Sequence, residues 1–204
     1  MDNCQTQQIP LAALDLHQRL SAGARQLFSV AADIELEPVV CCRQPDEAHR
    51  CYTALIGFSG AERGFLALSC SETLAQRLTD TLLGESDTTA KNYLQDALGE
   101  AASILANLLL DATGQRHSYL LALPSVVKSD TKLLQRLLSD WRGSTCCLCS
   151  GQYRMMVKAV VTPANCIAGT DSPNNHPGAT VHQIQRMLTC GRCGSNCWLH
   201  QADQ

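Results

Sequence analysis

Tyr93-Leu-Gln-Asp-Ala-Leu-Gly-Glu-Ala-Ala-Ser-Ile-Leu-Ala-Asn-Leu-Leu-Leu-Asp111 is the stretch from which the rest of the chain can be read. Leu94, Ala97, Leu98, Ala101, Ile104, Leu105 and Leu108 recur at steps of three and four, the spacing that places side chains on one face of an α-helix. The opposite stripe holds Asp96, Glu100, Ser103, Asn107 and Asp111. One face is therefore expected to meet a sheet, while the other offers carboxylates, a hydroxyl and an amide to solvent or to a partner. Taken alone, such a stripe is also what an ordinary solvated helix face looks like.

Upstream of this helix, Ser71 as N-cap, Glu72 in the first turn and Gly84 after Leu82-Leu83 bracket a helix of about three turns. Ser86 and Asp87 then open the long helix, which should stop near Gly114. Further back, Cys51–Phe58 and Arg63–Leu68 are short apolar runs separated by Ser59-Gly60-Ala61-Glu62, a hairpin signal. Leu14, Leu20, Ala24, Leu27 and Phe28 predict a helix within 11–32, and Ile34-Glu-Leu-Glu alternates at the strand period. Arg43–Arg50, with Pro45, reads as a polar turn.

Downstream, Ser118–Lys128 is strand-like with Pro124 in its middle. Proline cannot donate to a ladder, so an edge position or a bulge is expected. Leu133, Leu134, Leu137 and Leu138 predict a short helix, and Thr145–Cys149 with Tyr153–Val161 predict a closing hairpin across Ser150-Gly151. The sum is an α/β chain of the α+β type, a mainly antiparallel sheet packed with two or three long helices. From Thr162 onward Pro163, Gly169, Pro173, Asn174, Asn175, Pro177 and Gly178 favour loop over packed core. The expected organisation is a domain over 11–162, followed by a Pro/Gly/Asn-rich linker and Cys-rich tail over 163–204.

The formal charge of -3, with no long basic run, lacks the electrostatic footprint of a nucleic-acid binder. Met1–Pro10 carries neither a basic nor an apolar signal region, and nothing approaches the roughly 20 apolar residues that span a bilayer, so no membrane insertion and a cytoplasmic location are expected. Twelve cysteines in 204 residues fall below the roughly 8–10% of a short secreted disulfide scaffold. Cys41, Cys42, Cys51 and Cys70 lie in or beside strands and read as small apolar packing groups, as do Cys147 and Cys149, which alternation places on one face, beside Cys146. Cys190, Cys193, Cys197 and His200 have spacings able to close around one tetrahedral Zn²⁺, with Cys166 and His182 as spare ligands. Reversible disulfide chemistry and a plain polar tail are equally open readings of that segment. His17, His49, His117 and His182 are isolated, so no Ser/His or Cys/His hydrolase pattern is present.

Several of these segments resemble the CheX, CheC and FliY phosphatase family. Leu98-Gly-Glu-Ala-Ala-Ser-Ile-Leu-Ala and Leu121-Ala-Leu-Pro-Ser-Val-Val are similar to that family's helix, with its Glu-x-x-Asn pair after Leu-Gly, and to its following strand. Ile56-Gly-Phe-Ser-Gly60, Gly64-Phe-Leu-Ala-Leu-Ser69 and Leu82-Leu-Gly-Glu85 also resemble the CheX pattern, in the same order, within a span from Leu14 to Val161. The resemblance implies a CheC-like fold, a tendency to form homodimers, and docking on a phosphorylated CheY-like receiver. Hydrolysis of the receiver's aspartyl phosphate occurs within the receiver's own Mg²⁺ site, so no cofactor intrinsic to the phosphatase domain is implied.

The family glutamate matches Glu100 and the family asparagine position holds Ser103. The implied catalytic set is Glu100 and Ser103, with Asn107 one turn on as a substitute source of the amide; the implied docking set is Asp96, Glu100 and Ser103. The glutamate of the family pair engages the receiver's lysine, and its asparagine orients the attacking water. A hydroxyl is shorter than an amide, and roughly 1 Å of misplacement can cost on the order of a hundredfold in rate. Two functions follow: a receiver phosphatase, or a non-catalytic adaptor or sensor with a metal- or redox-responsive tail.

Overall fold

The computed structural model of the chain describes Leu11 and residues 14–39, 50–84, 90–114, 116–130 and 143–163. Among the described residues three helices, α1 (Leu16–Ala32), α2 (Glu72–Leu83) and α3 (Ala90–Asp111), pack on one face of a seven-stranded sheet. The strands are β1 (Glu37–Val39), β2 (Arg50–Ser59), β3 (Glu62–Ser71), β4 (Leu120–Leu121), β5 (Ser125–Asp130), β6 (Ser144–Ser150) and β7 (Tyr153–Pro163). The spatial order is β1-β6-β7-β3-β2, with β4 and β5 both on the far side of β2. Every pairing among the described residues is antiparallel.

Local chemistry explains the element ends. Asp15 caps α1 by accepting from the Gln18 amide at 3.0 Å. Ser71 caps α2 through the Leu74 amide, with Glu72 in the first turn, and Gly84 closes it at φ 73°, a backbone state open to glycine without a Cβ penalty. After α1 the chain turns at Asp33, which is left-handed at φ 53°, and the Ile34 amide donates to the Phe28 carbonyl. The expected strand over 34–37 therefore starts late. Ile34 and Leu36 are buried as the alternation predicts, but Arg25 Nε occupies the Leu36 carbonyl at 2.9 Å and the ladder begins only at Glu37.

The main core lies between the helices and the sheet. Leu20, Ala24 and Phe28 of α1, Leu74 and Leu78 of α2, and Leu98, Leu105 and Leu110 of α3 meet Ala54, Ile56, Leu66, Leu68, Val157 and Ala159. The opposite sheet face carries a smaller buried group: Cys51, Leu55, Phe65, Ala67, Val127 and Val160. Thr53 Oγ1 donates to Ser69 Oγ there at 3.2 Å. Pro124 falls in the gap between β4 and β5, and both strands pair only with β2, the peripheral position expected of a proline-bearing segment.

Cys51, Cys70 and Cys146 are buried thiols, and burial raises the pKa of Cys70 and Cys146, which keeps these two protonated and inert. Cys149 is a half-buried free thiol, whereas Cys147 on the same face is disulfide-bonded, which corrects the packing role expected for it. A strand side chain left half-exposed can pair as well as pack. Cys41, Cys42, His49, the short helix expected around Leu133–Leu138 and the tail from residue 164 lie outside the described residues. Among the described residues no helix is long and apolar enough to cross a membrane.

Candidate functional site on helix α3

Helix α3 runs over β2 and β5 and beside α1 and α2, so its buried side is wide. Leu94, Leu98, Ala101, Ala102, Leu105, Ala106, Leu109 and Leu110 are buried. Ile104 and Leu108, which the periodicity assigns to the core, are instead 37% and 42% exposed. The buried centre is rotated toward Ala102, Ala106 and Leu109, because α3 is packed by α1 and α2 as well as by β2 and β5. Gly99 marks the β5 flank: a Cβ there would lie 3.2 Å from Pro124 Cγ.

The polar stripe is present as spaced in the sequence. Asp96, Glu100 and Asp111 are exposed, and Ser103 and Asn107 are half-buried. Ser103 Oγ donates back to the Gly99 carbonyl at 3.0 Å. Asn107 Nδ2 donates to the Ser103 carbonyl at 2.9 Å, and its Oδ1 accepts from Arg116 Nε at 2.6 Å. The Ser103 proton is therefore held inside the helix, as a hydroxyl one turn from a carbonyl often is. Both ends of the Asn107 amide are occupied.

Arg116 was not singled out by sequence reasoning. It lies in a 3-10 turn (Arg116–Ser118) just beyond α3, also donates to the Tyr119 carbonyl at 3.2 Å, and comes within 4.0 Å of Asp111. Its only sequence signal is a lone cation shortly after the helix-ending Gly114. Tyr119 continues the connection inward: its hydroxyl donates to Glu62 Oε2 at 3.0 Å, and the Leu11 amide donates to the same oxygen at 2.6 Å. Burial, reinforced by that bond to Glu62, pushes the Tyr119 phenol up to about 12. Its ring meets Phe58 edge-on at 6.3 Å. Thus the β2–β3 hairpin, the turn after α3 and the stripe form one hydrogen-bonded path.

A second polar pair lies at the sheet periphery. Lys128 Nζ donates to Glu72 Oε1 at 2.7 Å and sits 5.0 Å from the centre of the Tyr52 ring. The bond to Glu72 raises the lysine pKa. Both partners are partly exposed, and solvent screening keeps such a pair weak.

Among the described residues no three His, Cys, Asp or Glu side chains gather as a metal site. Cys166, His182, Cys190, Cys193, Cys197 and His200 lie outside the described residues. His17 and His117 are exposed.

The family model described as chemotaxis phosphatase CheX matches residues 52–141, a span that contains all of α3. Comparison with curated proteins gave no significant match. The fold is shared with CheX from Vibrio vulnificus, at 19% identity and a TM-score of 0.54 over 70% of this chain and 96% of that one. CheX from Desulfovibrio desulfuricans gives 15% and 0.57 over 72% and 99%. A chain of the CheX-CheY-BeF3-Mg²⁺ complex from Borrelia burgdorferi gives 12% and 0.55 over 72% and 98%. At these identities the likeness is one of fold, and it agrees with the family match: residues 52–141 are similar to the chemotaxis phosphatase CheX family, and the described domain has the CheX-type fold.

Proposed function

We propose that the domain docks on a phosphorylated CheY-like receiver through the exposed stripe of α3, with Asp96, Glu100 and Ser103 facing the partner. The observation that carries this reading is the position of Glu100, exposed in the middle of α3 inside the family-matched span, with Ser103 on the next turn. The pairing of a CheX with CheY in the Borrelia burgdorferi complex supports the choice of partner.

In this reading the receiver keeps its own Mg²⁺, and the domain contributes only positioning. Glu100 engages the receiver's lysine, as the family resemblance implies, which leaves Ser103 as the group nearest the attacking water. Its hydroxyl already donates to the Gly99 carbonyl and so offers lone pairs but no free proton. Asn107 is no ready substitute, because Arg116 and the Ser103 carbonyl hold its amide. Hydrolysis is accordingly slow relative to docking. A non-catalytic adaptor is the second reading, favoured by the same two occupied groups; the Cys190, Cys193, Cys197 and His200 tail, holding Zn²⁺ or responding to redox state, would then carry the output.

The organisation that goes with this function is a domain over 11–162 and a linker and tail over 163–204, acting in the cytoplasm as a homodimer. The test measures both the affinity for a phosphorylated cognate receiver with Mg²⁺ and that receiver's decay rate, alone and with wild-type protein, Ser103→Asn or Glu100→Ala. Binding lost in Glu100→Ala supports docking at the stripe. Receiver binding that is absent in the wild type overturns it.

A further inference from the structure

We infer that Leu123 is an apolar anchor of the same docking surface, seated on the receiver beside Glu100; this rests on the docking reading above. Leu123 is 89% exposed. A single exposed leucine is unremarkable by itself. What distinguishes this one is how it is held and what surrounds it. On one side the Ala122 amide donates to the Gly57 carbonyl of β2 at 2.9 Å; on the other, Pro124 lies against Gly99 of α3. The residue between these two anchors is presented on a fixed backbone, so little ordering entropy remains to be lost on binding.

Gly99 immediately precedes Glu100, and the helical rotation of about 100° per residue puts the Pro124 flank on one side of Glu100. One turn on, Ile104 is exposed on the other side of Glu100, and Tyr93, two turns back, is 50% exposed. The polar stripe of Asp96, Glu100 and Ser103 is thus bordered on both sides by apolar side chains, the arrangement in which a charged contact is sealed from water when a partner closes over it. The Ile104 exposure that defeats the simple periodicity of α3 has a use in this arrangement.

The occupant is the receiver rather than a second copy of the chain. A two-fold contact through this face would gather Asp96 and Glu100 of both copies into one drying interface, whereas the receiver brings the lysine that Glu100 engages.

The experiment titrates the full chain against the cognate CheY-like receiver activated with beryllofluoride and Mg²⁺, using wild type, Glu100→Ala, Leu123→Asp, Leu123→Ala and Val30→Asp. Val30, on α1, is 81% exposed and serves as the control for adding surface charge. Leu123→Asp is expected to weaken binding about tenfold or more, as loss of an interface anchor does. Leu123→Ala should weaken it less, and Val30→Asp should leave it unchanged, with unaltered melting in all three. Binding that depends on Glu100 but is unaffected by both Leu123 variants overturns the anchor and leaves the docking reading intact. Absence of wild-type binding overturns both. Loss of self-association in Leu123→Asp, measured by sedimentation, with receiver affinity unchanged would assign the leucine to a contact between copies and overturn the anchor.

Discussion

Arg116 Nε donates to Asn107 Oδ1 at 2.6 Å, so the one amide in the lower half of the α3 stripe is fastened to the turn that follows the helix. With Asn107 Nδ2 on the Ser103 carbonyl, this side chain is a brace between α3 and its exit.

The brace has a kinetic consequence. Ser103→Asn should accelerate receiver dephosphorylation by on the order of a hundredfold over wild type, because an amide reaches where the back-bonded hydroxyl does not. Adding Asn107→Ala to that variant should leave the rate unchanged, whereas adding Glu100→Ala should abolish it. Decay of the phosphorylated receiver in the presence of Mg²⁺ measures all three. An Asn107→Ala rate well below that of Ser103→Asn alone would show that Asn107 takes part in the reaction.

Glu62 is the deepest carboxylate on the path to the stripe, and one of its oxygens accepts from both the Leu11 amide and the Tyr119 hydroxyl. Glu62→Ala leaves those buried donors unpaired and should cost about 2–5 kcal/mol of stability, read from urea unfolding. Glu62→Gln keeps an acceptor and should recover part of the loss.

Tyr119 makes the stability pH-dependent in the alkaline range. Its folded pKa is raised to about 12 from 10.0, so the unfolded chain releases the phenolic proton first. The contribution is complete below pH 10 and is lost as pH rises toward the folded value, at up to roughly 1.4 kcal/mol per pH unit. Unfolding midpoints between those limits should fall less steeply in Tyr119→Phe than in wild type.

Gly60 tests the hairpin's fit against the turn after α3. A Cβ at this position would run into the Ser118 carbonyl, which is backbone and cannot swing aside. Gly60→Ala should destabilise the fold by about 1–3 kcal/mol in urea unfolding, as overpacking does. Gly84→Ala is the contrast: there a Cβ meets nothing nearby, and any cost comes from the left-handed φ.

Much of this molecule was legible from the chain alone, where the causes are local. Ser71, Glu72 and Gly84 mark α2 because a cap, a dipole-compatible acid and a left-handed exit act within one or two turns of helix. The Ser59–Glu62 hairpin, the closing β6–β7 pair across Gly151, the peripheral place of the Pro124 segment and the spacing of Asp96, Glu100, Ser103, Asn107 and Asp111 likewise follow from backbone chemistry and helical pitch. The resemblance that led to the CheX family also lies in short local runs. Tertiary structure alone decided the rest. Periodicity defines an apolar face but not its rotation, which depends on which neighbours grip the helix; packed among α1, α2, β2 and β5, α3 leaves Ile104 and Leu108 partly exposed. No local rule joins Arg116 to Asn107, or Glu62 to Leu11 and Tyr119, because such partners are far apart in the chain or separated by a turn, and only the folded chain brings their donors to one acceptor. Spacing could place the hydroxyl and the amide on the stripe, but whether either is free to work depends on hydrogen bonds that form only once α3 is seated on its sheet.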